Sequence, residues 1–218
     1  MRIGIDVGST NTDAVLIDGE QILAGVKSPT LDSISDGVIG AVRSLQEAHP
    51  FDPVDVQGVM VGTTHFINAL IEAKKLTPTA SIRLGLPATS GLPPFVGWPE
   101  RIRNAVRGQG FMIHGGHEFD GRIISPLDAA ELRSAVDQAL ENGAQSLSIV
   151  SVSSPMTPEF ELQAQEIISA EHPHLALSLS HEIGRVGLLE RENATIINAA
   201  LRGLSEEICG SLAQTLKN

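Results

Sequence analysis

Two short runs hold the residues best suited to chemistry. The first is Asp6-Val7-Gly8-Ser9-Thr10-Asn11-Thr12-Asp13, and the second is Gly62-Thr63-Thr64-His65. In the first run, carboxylates bracket a cluster of hydroxyls and amides around a glycine, which lets backbone come close to a ligand. A concave set of backbone N–H groups is an anion nest. Ser9, Thr10, Asn11 and Thr12 can add side-chain donors for phosphate oxygens, and a carboxylate such as Asp6 can hold a Mg2+ ion through its retained waters. A plain turn would use the same residue types, yet a hairpin needs only a short turn such as Asn-Gly. The second run repeats the pattern: a strand end, a glycine, two hydroxyls, then His65 at a helix start, where it can donate to an oxyanion or simply cap.

These runs need elements to hold them. Ile3, Ile5 and Val7 alternate with Gly4 and Asp6, the period of a strand. Residues 2–7, 13–18 and 21–27 read as three strands joined closely enough to form an antiparallel meander. Ser33 with Asp36 forms a capping box, and Val38, Ile39, Val42 and Leu45 carry a helical face until Pro50 and Pro53. Residues 56–61 predict a strand, so Gly62-Thr63-Thr64 lies at its C-terminal end, with Phe66, Ala69 and Leu70 on a short helix beyond. A strand follows over 79–86. Residues 87–122 are rich in Pro and Gly and predict an irregular, lid-like insertion with a short helix near 99–107. Ser125 with Pro126, and Thr157 with Pro158, mark two helix starts. The helices alternate with strands at 146–152 and 175–180, an order that implies parallel pairing. Residues 189–217 predict one long helix with Ile197, Leu201, Leu204, Ile208, Leu212 and Leu216 on its apolar face.

Composition narrows the class. The chain has 218 residues, 42% hydrophobic and 3% aromatic, with one Trp and no Tyr, so its core is built from Ile, Leu, Val and Ala, as in sheets covered by helices. A net charge of −11 argues against nucleic acid or an anionic membrane as partner. No apolar run reaches membrane-spanning length, and the N-terminus has no signal-peptide shape, so a cytoplasmic location is expected. Cys209 alone forms no internal disulfide and is expected to be buried or half-buried. Neither the G-x-x-x-x-G-K-[ST] loop, the G-x-G-x-x-G fingerprint nor the G-x-S-x-G elbow occurs. His114-Gly-Gly-His117, with Glu118 and Asp120, can be drawn as a metal site, but flexible glycines do not hold ligands rigidly, and a solvated loop is expected. His49, His172 and His174 fall at helix ends, on the surface. Glu190, Arg191 and Glu192 read as a solvated first turn or a hinge between lobes.

Four stretches together resemble the N-terminal lobe of the hydantoinase A/5-oxoprolinase family, within the sugar kinase, actin and chaperone ATPase superfamily. They are "IDVGSTNTDAVLID", "VGTTHFINALIEAK", "GRIISPLDAAELRSAVDQALENGAQSLSIVSV" and "LSLSHEIGRVGLLERENATIINAALR". The resemblance implies an α/β, RNase-H-like (actin-like ATPase) lobe: a three-stranded antiparallel meander followed by alternating helices and parallel strands. It implies residues 1–188 as that lobe, and 189–218 as a helix leading toward a second lobe. It also implies ATP-dependent opening of a cyclic amide or imide, with ATP and Mg2+ as cofactors. In that chemistry the γ-phosphoryl group passes to the carbonyl oxygen and the activated carbon takes water. Carried onto this chain, Asp6 organises Mg2+, while Gly8, Ser9, Thr10, Asn11 and Thr12 line the β- and γ-phosphates. Asp13 is a second polar group there, and Gly62, Thr63 and Thr64 approach the γ-phosphate or the substrate, with His65 beside them.

The chain departs from the family pattern in three places. Ser9 stands where the family more often has Gly. The stretch after the Ala69-Leu70 helix runs "LTPTASIRLGLPATSGLPPF" instead of a Thr-x-Gly-Phe-x-Asp segment. No second Asp-x-Gly-Gly-Thr loop appears, and the superfamily binds ATP between two lobes. The chain alone is therefore expected to bind ATP weakly or not at all, without turnover. Two roles stand: the nucleotide-binding lobe of an ATP-dependent cyclic amide hydrolase, or a non-enzymatic or regulatory relative, including a lobe that pairs with a partner or with itself through the 190–216 helix.

Overall fold

The computed structural model describes residues 1–8, 10–30 and 34–215. The chain forms two compact units, Met1–Glu72 with Ser205–Asn218, and Ala73–Leu204. The boundary expected at residue 188 falls inside the second unit.

The first unit begins with the meander: β1 (Arg2–Val7), β2 (Asn11–Asp18) and β3 (Gln21–Pro29), each antiparallel to the next. Helix α1 (Ile34–Ala48) then carries the chain to β4 (Val59–Thr63), which lies parallel to β1, and α2 (His65–Glu72) follows. The sheet order is β3-β2-β1-β4. Strand alternation turns Ile3, Ile5, Val7, Ala14 and Leu16 toward Val38, Ala41 and Leu45 of α1, and this is the unit's core. Gly4, Asp6 and Asp13 fall on the opposite face. Ser33, expected to cap α1, lies outside the described residues.

The second unit is a parallel sheet of β5 (Thr79–Leu86), β6 (Gln109–His114), β7 (Ser146–Ser151) and β8 (Ala176–Leu179), in the order β6-β5-β7-β8. Between the strands run α3 (Glu100–Ala105), α4 (Ala129–Glu141) and α5 (Glu159–Glu171), with α6 (Ser180–Ile183) and α7 (Leu188–Ala200) after β8. Ala80, Ile82 and Leu84 of β5 pack with Leu132 and Val136 of α4 and with Ala164 and Ile168 of α5. The alternate residues of β5 and β7 meet α7: the Ser146 hydroxyl donates to the Ala199 carbonyl at 3.0 Å, and Arg83 pairs with Glu192.

Four expectations change. The 87–122 segment is not an irregular insertion throughout, because β6 lies within it. Its glycines mark close packing: a Cβ on Gly108 would stand 2.6 Å from Phe95, and one on Gly110 would stand 3.0 Å from Pro94. The helix starts shift as well. Asp128, not Ser125, caps α4 through bonds from the Ala130 and Glu131 amides, and Pro158, not Thr157, precedes α5 with no side-chain cap. The long C-terminal helix is two, α7 and α8 (Arg202–Thr215). Thr77 makes the break: its amide takes the Ala200 carbonyl at 2.8 Å and its hydroxyl accepts from the Gly203 amide at 3.3 Å. Leu204 and Ile208 of the expected stripe are buried, and Leu216 lies outside the described residues. Cys209 is exposed rather than buried.

Candidate functional site

The two chemical runs meet at one end of the first sheet. Because β1 and β4 are parallel neighbours, Asp6 stands beside Gly62 and Val7 beside Thr63. Because β1 and β2 are antiparallel, Asp6 also faces Asp13 directly. The β1–β2 hairpin and the distant β4 thus deliver Asp6, Asp13 and Gly62 to one face of the sheet.

Like charges opposite each other on a sheet repel. Lys27, across from Asp13 on β3, offsets one of them with a 3.1 Å ion pair. The Asp6 carboxylate is exposed and has no hydrogen-bond or ion-pair partner among the described residues. Gly62 leaves its flank bare, since even a Cβ there would stand 3.5 Å from Asp6 Oδ1. A free carboxylate facing another carboxylate suits a divalent cation that draws its remaining oxygens from water and phosphate. Among the described residues no group of three or more His, Cys, Asp or Glu side chains could hold a metal unaided.

The loop between β1 and β2 is closed by the Gly8 amide donating to the Asn11 carbonyl at 3.0 Å, and a Cβ on Gly8 would stand 3.0 Å from that same oxygen. Thr10 and Asn11 are exposed at its rim. Thr12 does not line the opening. Its side chain is fully buried, because the strand period places it on the core face with Ala14 and Leu16, and its hydroxyl lies 3.3 Å from that of Thr30. Ser9 lies outside the described residues.

On the β4 side, Thr63 caps α2. Its hydroxyl accepts from the His65 amide at 3.2 Å and lies 2.5 Å from His65 Nδ1. With the amide donating to one lone pair of Oγ1, the hydroxyl can either give its proton to Nδ1 or accept from Nδ1–H. The Thr64 hydroxyl is buried and has no partner. A buried donor without an acceptor is uncommon in a folded protein and calls for a ligand or a water.

The second unit concentrates charge that the sequence did not reveal. Arg191 and Glu192, expected in a solvated first turn or a hinge between lobes, are each 1% exposed. Arg83 Nε donates to Glu192 Oε1 at 2.8 Å, and a second guanidinium nitrogen reaches Oε2. The fully buried Glu161 carboxylate accepts from the Ser151 amide at 2.7 Å, from the Ser180 hydroxyl and from His181. Arg191 donates to Ser180 and to the Ser151 carbonyl. Burial pulls its guanidinium below the ordinary arginine range, while Glu161 and Glu192 oppose that shift. One signal was available: Arg83 sits inside "TASIRLGL", and a charge in an otherwise buried strand demands a partner. His114 pairs with Glu131 at 2.8 Å, and His117 is buried against Phe160, so they form no joint metal site. Val152 packs closely against the glycines at the C-terminal ends of β5 and β6. A Cβ on Gly85 would stand 2.9 Å from it, and one on Gly116 would stand 3.1 Å from it.

Residues 2–172 match the hydantoinase/oxoprolinase N-terminal region. The chain is 26% identical to the caprolactamase subunit alpha of Pseudomonas jessenii over 92% of its own length and 31% of that protein's. It is also 26% identical to the acetophenone carboxylase gamma subunit of Aromatoleum aromaticum, over 99% of its own length and 33% of the relative's. In solved structures, the ATP-dependent caprolactamase from Pseudomonas jessenii superposes with a TM-score of 0.72 at 25% identity, covering 99% of this chain and 34% of that one. A nucleotide-free acetone carboxylase superposes at 0.74 with 15% identity, over 99% and 34% of the two chains, a likeness of fold. The chain thus spans about a third of the length of these relatives.

Proposed function

The chain belongs to the hydantoinase/oxoprolinase N-terminal region family, and we propose that it is the phosphate-binding lobe of an ATP-dependent enzyme that opens a cyclic amide or imide in the cytoplasm, working with a second lobe or partner chain. The observation that carries this reading is the free Asp6 carboxylate facing Asp13, with Gly62 beside it and the partnerless Thr64 hydroxyl just beyond the same strand end. The relatives support it, since one is an ATP-dependent caprolactamase. Their threefold greater length supports the need for more protein around the nucleotide.

Asp6 and Asp13 are the residues that would hold Mg2+. Bound Mg·ATP would supply a phosphoryl group for the amide oxygen, which turns the ring carbon into one that water attacks. Phosphoryl transfer asks little covalent chemistry of the protein beyond positioning and charge stabilisation. Here the exposed Thr10 and Asn11 offer donors to the phosphate chain. The Thr64 hydroxyl donates to a phosphate oxygen and so gains the acceptor it lacks. Thr63 holds the His65 ring at the same strand end through its contact with Nδ1.

The test is an NMR titration of the isotopically labelled chain with Mg2+ and pyrophosphate, ADP or ATP. Weak binding is expected, with shifts at the amides of Gly8, Thr10–Asp13 and Gly62–His65 that Asp6→Ala removes. No shifts at millimolar ligand, or shifts confined to the second unit, would refute the assignment. Ring opening by the chain alone would refute the need for more protein.

A further inference from the structure

Thr30, just past the end of β3, makes two bonds to the loop that joins β1 to β2. Its hydroxyl donates to the Gly8 carbonyl at 2.9 Å, and its amide donates to the Thr10 carbonyl at 2.9 Å. The buried Thr12 hydroxyl lies 3.3 Å from Thr30 Oγ1. Because the Thr30 hydroxyl proton goes to Gly8, Thr12 must be the donor of that pair. One residue is therefore fully committed: its hydroxyl gives a proton to the loop and receives one from beneath, and its amide holds the loop's other side.

The consequence is directional. A phosphate loop fails if its carbonyls face the anion, because their oxygens repel phosphate oxygens. The Gly8 and Thr10 carbonyls are both drawn toward Thr30, and the Asn11 carbonyl is taken by the Gly8 amide at 3.0 Å. A trans peptide sets its N–H opposite its C=O, so anchoring the Thr10 carbonyl on Thr30 turns the Asn11 N–H away from β3 and into the loop. We propose that Thr30 is a positioning residue of this loop, a latch that turns the Gly8 and Thr10 carbonyls from the anion's path and aims the Asn11 N–H inward. This role rests on the phosphate-binding reading above. It is not carried by any residue of the two runs that the sequence singled out.

The test compares Thr30→Val, Thr30→Ser and Thr12→Val. Thr30→Val keeps the shape and the amide but loses the hydroxyl. Thr30→Ser keeps both donors. Thr12→Val removes a buried hydroxyl bond without touching the Gly8 or Thr10 carbonyls. Each is read by amide hydrogen exchange at the loop-holding amides of Gly8 and Thr30, by Mg·ADP titration and by thermal melting. In Thr30→Val, exchange at these amides should rise at least tenfold relative to Ile3 and Val61, and Mg·ADP affinity should fall at least tenfold. Thr30→Ser should restore both. Thr12→Val should lower the melting temperature while leaving loop exchange and affinity near wild type. If Thr30→Val binds like wild type, or if Thr12→Val loses affinity equally, the latch is overturned and Thr30 is merely structural. If the wild-type chain itself shows no response to Mg·ADP, the phosphate-binding reading has failed, and the latch falls with it.

Discussion

Thr64→Val should make this protein more stable and worse at its task. The Thr64 hydroxyl is buried at the start of α2 with no partner. A buried hydroxyl left unpaired costs about 1–3 kcal/mol, and valine fills nearly the same volume with a methyl group in its place. A gain of about 1 kcal/mol is expected, or roughly 2–4 °C in melting temperature for a chain of this size. Binding should move the other way. A hydrogen bond to a charged acceptor contributes about 1.5–3 kcal/mol, so Mg·ADP or pyrophosphate affinity should fall about ten- to 150-fold. Melting curves and NMR titration of the same sample measure both. Ser148→Ala is the control, because the Ser148 hydroxyl is equally buried and partnerless but lies in β7 of the other unit. It should leave binding untouched. A Thr64→Val chain that melts several degrees lower would show that the hydroxyl has a structural partner. Unchanged affinity would show that it does not meet the phosphate.

Two further outcomes follow from the second unit. Arg83→Met and Glu192→Leu should each cost about 3–5 kcal/mol by urea unfolding, since either leaves a buried unpaired charge; the double variant should cost far less than their sum, and additive losses would refute a coupled pair. Glu131 accepts from the His114 amide at 2.9 Å and from its ring, and these bonds, the amide first, hold its pKa below the ordinary value of 4.5. A carboxylate with a lowered folded pKa adds stability that is complete above its unfolded value and is lost as pH falls through the folded one. Urea midpoints of Glu131→Gln should therefore fall less steeply than wild type below about pH 4.5, with an equally steep fall counting against the bond.

The sequence was most legible where a single period governs a strand. Ile3, Ile5 and Val7 announced β1, and the meander and the strand-Gly-Thr-Thr-helix unit followed from the same rule. The site was legible as two runs, but not as one place: nothing local says that β4 lies parallel to β1, and that pairing alone sets Gly62 beside Asp6. Thr12 was misread because its type suits phosphate while its parity points to the core. In "TNTDAVLID", Ala14 and Leu16 share its parity, and a stricter use of the period would have placed it inside. Thr30 acts on the loop from just past β3, and Lys27 acts on Asp13 from within it, so only the β2–β3 register reveals them. The glycines of 108–116 looked like a loop because glycine is common there; in the fold they admit Phe95, Pro94 and Val152.

The charge at the first-unit site also bears on what this lobe can do unaided. Asp6 and Asp13 bring two negative charges to the sheet end, and Lys27 brings one positive charge that Asp13 already holds. A magnesium nucleotide is itself anionic. On the reading proposed above, its cation would meet Asp6 and Asp13, and the outer phosphate oxygens would meet the uncharged Thr10 and Asn11 groups and the Thr64 hydroxyl. Such bonds gain from the phosphate's charge, but the donors bring no positive charge of their own to offset it. On that reading, weak binding by the chain alone is expected from the site's composition. On the same reading, further donors and a positive charge would come from outside this site. Supplying that second set of groups should raise nucleotide affinity steeply while leaving the dependence on Asp6 intact, and nucleotide binding that became independent of Asp6 on assembly would place the phosphates elsewhere.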